Sequence, residues 1–111
     1  MAVHQPGEPP WSREQIIESI DEFERLYASR PIRDNTGGMA APHMFATWFI
    51  ARHLKLRFVV ESGVWRGQGM WLLEQACPDA EFHAIDMNLD KREYVSSRAR
   101  YHSIDFTEID W

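Results

Sequence analysis

The stretch Phe58-Val59-Val60-Glu61-Ser62-Gly63-Val64-Trp65-Arg66-Gly67-Gln68-Gly69 decides the fold. It reads as an apolar strand that runs into an acidic residue and a glycine-spaced loop, and a helical pattern follows over about residues 68–77. Glycines at such a corner let a ligand approach the backbone closely, and the N-terminus of the helix offers free N–H groups. The corner therefore predicts a ligand site at the tip of the first strand.

A second apolar strand also ends in a carboxylate. His83-Ala84-Ile85 leads directly into Asp86. A carboxylate at the tip of the neighbouring strand is well placed to accept hydrogen bonds from a ribose diol. The two strand tips together predict a site for a nucleoside cofactor.

The glycine spacing excludes two common phosphate sites. A dinucleotide fingerprint needs a glycine or alanine three positions beyond the Gly67-Gln68-Gly69 run, where this chain has Leu72. A phosphate-binding P-loop needs a Gly-Lys-Ser/Thr run, which the sequence lacks. The negative charge of Glu61 suits a cationic group better than a pyrophosphate.

The pattern Glu61-x-Gly63-x-x-x-Gly67-x-Gly69 resembles the first motif of class I S-adenosylmethionine-dependent methyltransferases. It is most similar to the variant of the catechol-type O-methyltransferases, which usually have a serine or threonine where this chain has Gly69. The resemblance covers about residues 42–111. It implies S-adenosylmethionine as the cofactor, with Glu61 near its methionine amino group and with backbone access at Gly63 and Gly67.

The resemblance also assigns roles beyond the glycine loop. It implies that Asp86 binds the ribose, that Met87 packs on the adenine ring, and that Asp105 reads the adenine amino group. Simpler interpretations remain open for these residues: Asp86 could cap a loop, and Asp105 could be a solvated turn residue. A strand–loop–helix corner also occurs in α/β proteins that bind nothing there, and Trp65 and Arg66 could either gate the site or cover it.

The order of elements predicts an α/β fold with parallel strands. The resemblance implies a three-layer Rossmann-like half-domain with an incomplete sheet, in which two helices precede strands 1–3. We expect strands over about 57–62, 81–86 and 100–105, and a short helix over about 88–94.

Three segments divide the chain. Residues 1–11 are expected to form a disordered tail, residues 12–56 a helical segment, and residues 57–111 the N-terminal half of a methyltransferase-like cofactor domain. Ser12 and Gln15 form a capping box that starts the first helix, and Pro31 ends it. A second helix, expected from Pro42 to Leu56, is apolar around most of its circumference. The loop between these helices, residues 34–42, is interpreted as a plain linker, with a lid over the cofactor mouth as the alternative.

Composition and charge limit the kinds of binding partner and the cellular compartment that we expect for this protein. The net charge of −5 argues against nucleic acid or an anionic membrane as the main partner. Cys77 is the single cysteine, and it is expected to be buried and inert. With no signal peptide and no apolar run of ~18 residues, we expect a cytoplasmic protein. The five histidines have no spacing typical of a metal site.

The sequence ends just after the third predicted strand, so the resemblance implies a truncated chain, or a fragment, that lacks the acceptor half of the enzyme. We therefore expect no methyl transfer by this chain alone. The alternative is a non-catalytic interaction module that pairs its open sheet edge with a partner or with a second copy. A weaker alternative is the same fold in other chemistry, such as a hydroxylase-like or sugar-modifying role.

Overall fold

The computed structural model describes residues 7–111. The described residues form seven elements: α1 (Arg13–Ala28), α2 (Ala41–Leu54), β1 (Phe58–Ser62), α3 (Gln68–Ala76), β2 (Glu81–Ile85), β3 (Arg100–His102) and a 3-10 helix (Phe106–Glu108). The disordered tail expected over 1–11 lies outside the described residues for positions 1–6. Within its remainder, Trp11 packs edge-on against Phe49, with ring centroids 5.5 Å apart.

The first helix begins where the sequence predicts. The Ser12 hydroxyl accepts a hydrogen bond from the Gln15 backbone N–H at 3.2 Å, and the Gln15 side-chain oxygen accepts from the Ser12 N–H at 2.7 Å. This reciprocal pair satisfies two N–H groups that a helix start otherwise leaves free. Phe23 is the buried residue of α1 and contacts the rings of α2, so the apolar stripe of α1 packs against that helix.

The sheet contains three parallel strands in the order β1-β2-β3. Side chains alternate between the two faces of a strand, and one face carries Val59, Phe82 and Ala84, which are buried in the same core cluster as the apolar residues of α2 and α3. The α/β class and the parallel pairing are therefore confirmed. The core joins the helical segment 12–56 to the strands.

Aromatic and histidine side chains cover the opposite face of the sheet. His83, at the centre of β2, is 2% exposed and its ring lies 5.0 Å from that of Trp111. Phe58 of β1 lies 5.1 Å from His83, and His102 of β3 stacks on the other side of it. The last residues of the chain thus close over this face.

The prediction of a short helix over 88–94 is wrong, because this segment forms turns instead. The Asn88 N–H donates to Asp86 Oδ1, and the Asp90 N–H donates to Asn88 Oδ1, each at 3.0 Å. Short polar side chains that bond the backbone two residues later compete with a helix. The third strand is also shorter than expected, since β3 ends at His102.

One side of β1 remains open. Within residues 7–111, β1 pairs only with β2, and an apolar groove of about 570 Å³ runs between the free edge of β1 and α2. Phe58 and Val60 of β1 are 48% and 44% exposed, and Ile50 and Leu54 of α2 are similarly exposed beside them. The apolar circumference of α2 is therefore only partly buried. No helix of the described chain is long and apolar enough to span a bilayer.

Candidate functional site

A cleft of about 490 Å³ opens at the carboxyl ends of β1 and β2, beside the N-terminus of α3. Ligands of open parallel sheets bind at this end of the strands. Three of the six site residues proposed from the sequence line the cleft, namely Glu61, Gly63 and Asp86. The structure therefore brings the two strand-tip carboxylates to one cleft.

Asp86 holds the glycine loop in place. Its Oδ2 accepts hydrogen bonds from the N–H groups of Val64, at 2.8 Å, and Trp65, at 3.4 Å, and its Oδ1 accepts from Asn88. The bonds from Asn88 and then Val64 lower the pKa of the Asp86 carboxyl, which stays ionised. The loop-capping role is thus observed. A carboxylate accepts about four hydrogen bonds, so capacity remains for a ligand hydroxyl.

Glu61 is a half-buried acid, and one oxygen of its carboxyl lacks a hydrogen-bond partner within residues 7–111. Burial raises the pKa of its carboxyl to about 7, because a low-dielectric environment disfavours the charged form. Its Oε1 is buried and has no hydrogen-bond partner in the described part of the chain. A side chain at position 69 would collide with Glu61 Oε2, so Gly69 provides the space that this carboxyl occupies.

The two glycines of the loop have different surroundings. Gly63 has a φ of +91°, its N–H donates to Ile85 O at 2.8 Å, and a Cβ built on it would meet no atom within 4 Å. Its backbone is therefore open to a ligand in the cleft. Gly67 has a φ of +103° and packs against the Tyr94 carbonyl at the start of α3, outside the cleft lining. Gly67 therefore allows the turn that leads into α3.

A strap, defined here as residues 34–40, crosses the mouth of the cleft. The Trp65 indole N–H donates to Thr36 O at 3.0 Å, and the Arg66 guanidinium donates to Asp34 O. Several strap residues line the cleft. The alternative interpretation of this segment, a cover over the mouth, therefore describes its position better than a plain linker does, and Trp65 and Arg66 anchor the cover.

Met87 and Asp105 do not line the cleft. Met87 follows Asp86 directly and is 74% exposed. Asp105 begins the 3-10 helix, where its Oδ1 accepts from the Thr107 N–H at 2.9 Å and from the Thr107 hydroxyl at 2.6 Å. These bonds lower the pKa of Asp105, as expected for a solvated turn residue.

Sequence reasoning missed three polar residues around the cleft, and His43 of α2 is one of them. Asn35 lines it from the strap, and Gln68 lines it from α3, where its side-chain oxygen accepts from the Ile32 N–H at 2.9 Å. The turn-forming residues around Asn35 predicted a loop, but they did not indicate that this loop lies beside the cleft. Gln68 lies between the motif glycines Gly67 and Gly69, so its position at the start of α3 could be predicted from the sequence. Its hydrogen bond with the Ile32 N–H could not be predicted.

A histidine pair on the far face of the sheet was also missed. His83 Nδ1 lies 2.9 Å from His102 Nε2 on the adjacent strand. Detecting this contact requires the register of β2 and β3, which the sequence does not show. Across residues 7–111 no three potential ligand side chains are grouped to hold a metal ion.

Comparisons with known proteins do not extend this assignment: no family model, curated protein or solved structure matches the chain.

Proposed function

We propose that the chain binds S-adenosylmethionine, as the cofactor half of a class I methyltransferase with a Rossmann-like sheet. The observation that carries the proposal is the position of Glu61 and Asp86. Both carboxyl groups lie in one cleft at the carboxyl ends of adjacent parallel strands. The glycine loop joins the first strand to α3 beside them.

The size and chemistry of the cleft support this cofactor. A volume of about 490 Å³ falls within the usual range of small-molecule pockets, roughly 300–1,000 Å³. S-adenosylmethionine carries an ammonium and a sulfonium, which Glu61 would balance, and a ribose diol, which would donate to Asp86. Gly63 allows close approach of the ligand to the backbone.

The N-terminus of α3 offers a position for the carboxylate of the cofactor. No side chain among residues 7–111 caps this helix, and Gln68 and Gly69 of its first turn line the cleft. Free N–H groups at a helix N-terminus attract anions, so the cofactor carboxylate would lie here. One end of the cleft would then hold both charges of the methionine moiety.

The test is an amide-resolved NMR titration of the full chain with S-adenosylhomocysteine, the demethylated cofactor. We expect shifts concentrated at Gly63, Val64 and Asp86. Asp86→Ala should weaken binding by roughly 1.5–3 kcal/mol, the range for a hydrogen bond to a charged group. Asp79→Ala, which removes an exposed carboxylate before the opposite end of β2, is the matched control. A titration without shifts would refute the proposal.

Asp86 also holds the loop, so its ribose role needs a separate measurement. The 2′-deoxy form of S-adenosylhomocysteine lacks one hydroxyl of the diol. The native chain should prefer the ligand with the full diol, and Asp86→Ala should reduce that preference. An unchanged preference would restrict Asp86 to the loop.

The open edge of β1 favours a second candidate function, an interaction module that pairs with a second copy. Unpaired strand edges are templates for further pairing, and here the edge adjoins the apolar groove against α2. Sedimentation at micromolar concentration tests this. Val60→Lys should dissociate such a dimer, whereas Ile17→Lys, at an apolar α1 residue that is 50% exposed, should not. A native chain that sediments as a monomer excludes the module.

A further inference from the structure

Asn35 of the strap has a buried hydrogen-bond acceptor that lacks a partner within the described residues. Its Oδ1 is buried and finds no partner among residues 7–111, and the residue lines the cleft. The amide also lies tightly against Gly38, where a side chain would collide with it. Native proteins leave few buried polar atoms unsatisfied, and each one calls for an explanation.

The backbone on both sides of Asn35 is fixed to the glycine loop. The preceding residue, Asp34, accepts a hydrogen bond from Arg66 through its carbonyl oxygen. The following residue, Thr36, accepts one from the Trp65 indole at 3.0 Å. The fold therefore holds the backbone of Asn35 beside the cleft.

The other residues that line the cleft indicate which charge the hydrogen-bond donor of a ligand should carry. Glu61 contributes Oε1, a second buried acceptor that has no partner among the described residues, and Asp86 contributes a second carboxylate. The lining contains no lysine or arginine in the described part of the chain, and its basic side chain is the imidazole of His43. A ligand group that satisfies these acceptors must carry N–H or O–H donors, and the neighbouring carboxyl groups favour a positive charge on it.

We infer that Asn35 is a ligand-binding residue that determines specificity: its Oδ1 accepts a hydrogen bond from the ammonium group of the bound cofactor, and Glu61 balances the charge of that group. The inference rests on the proposed function, because S-adenosylmethionine is the ligand that carries this ammonium. Asn35 then distinguishes nucleosides that bear an amino acid from nucleosides that do not.

Calorimetric titration of the full chain tests the inference with two ligands. S-adenosylhomocysteine carries the ammonium, and its desamino analogue keeps the carboxylate but lacks the ammonium. Asn35→Ala should weaken S-adenosylhomocysteine about tenfold or more and change the affinity of the desamino analogue less than about twofold. Asn35→Asp keeps an acceptor oxygen and should restore binding of S-adenosylhomocysteine. Thermal unfolding verifies that both variants fold.

The outcomes separate the inference from the proposed function. Equal weakening of both ligands by Asn35→Ala would make Asn35 a support of the strap and overturn the inference. Unchanged binding of S-adenosylhomocysteine would overturn it too, while the proposed function would stand. A native chain that binds neither ligand would overturn the proposed function and this inference with it.

Discussion

Replacing Glu61 by glutamine should stabilise the unliganded protein at neutral and alkaline pH. Burial raises the pKa of the Glu61 carboxyl from its ordinary value of 4.5 to about 7. In the unfolded chain the group ionises near 4.5, so the folded chain holds a proton there that the unfolded chain has lost. The free energy of unfolding of the native chain therefore falls as pH rises from about 4.5 to 7, and it is constant above that.

The size of this effect follows from the two pKa values. Each pKa unit corresponds to roughly 1.4 kcal/mol, so the ionised Glu61 destabilises the fold by about 3 kcal/mol above pH 7. Glutamine is similar in shape and does not titrate, and the variant should lack this loss. The difference in stability between variant and native chain should grow by about 3 kcal/mol from pH 4.5 to pH 8.

Urea unfolding followed by circular dichroism at pH values from 4.5 to 8.5 measures the difference. Glu24→Gln, at an exposed position of α1, is the control, and its stability should follow that of the native chain at every pH. Parallel pH profiles for Glu61→Gln and the native chain would refute the reasoning. They would mean that water reaches the Glu61 carboxyl in the folded state.

Three further outcomes follow from the same contacts. Affinity for S-adenosylhomocysteine should rise about tenfold between pH 6 and pH 8, as the ionised fraction of Glu61 rises from about one tenth to nine tenths; a flat calorimetric profile would contradict this. Gly67→Ala should cost about 2 kcal/mol or more, because alanine is strained at a φ of +103° and its Cβ meets the Tyr94 carbonyl; an unchanged thermal midpoint would count against it. Burial raises the pKa of the Cys77 thiol, so a disulfide reagent should react with it at least about tenfold more slowly in the native than in the unfolded chain, and equal rates would show an exposed thiol.

The elements that the sequence predicted well depend on local signals. The capping box of Ser12 fixed the start of α1, and the apolar runs before Glu61 and Asp86 placed β1 and β2 within one residue of their observed bounds. Parallel pairing followed from the alternation of strands and helices. The start of α1 and the bounds of the two strands are determined by neighbouring residues, so one sequence was enough for them.

The features that the sequence did not reveal depend on contacts between distant residues. The strap reaches the glycine loop through Thr36 and Trp65, which are 29 positions apart, and no local pattern announces such a bond. The turns after Asp86 were missed because side-chain bonds to the backbone replaced the helix there. Asn35 belongs to the strap. Because the sequence did not reveal the position of the strap, it did not reveal Asn35 as a residue of the site either.

The missing side chain at position 69 has a consequence for how this site could change over time. Gly69 leaves room for a carboxyl that lies eight positions earlier in the chain, and any larger residue would displace Glu61 Oε2. A mutation at position 69 would thus displace the Glu61 carboxyl and change the burial that raises its pKa, without replacing the acid itself. For a protein engineer, position 69 is a means of adjusting the working pH of the site.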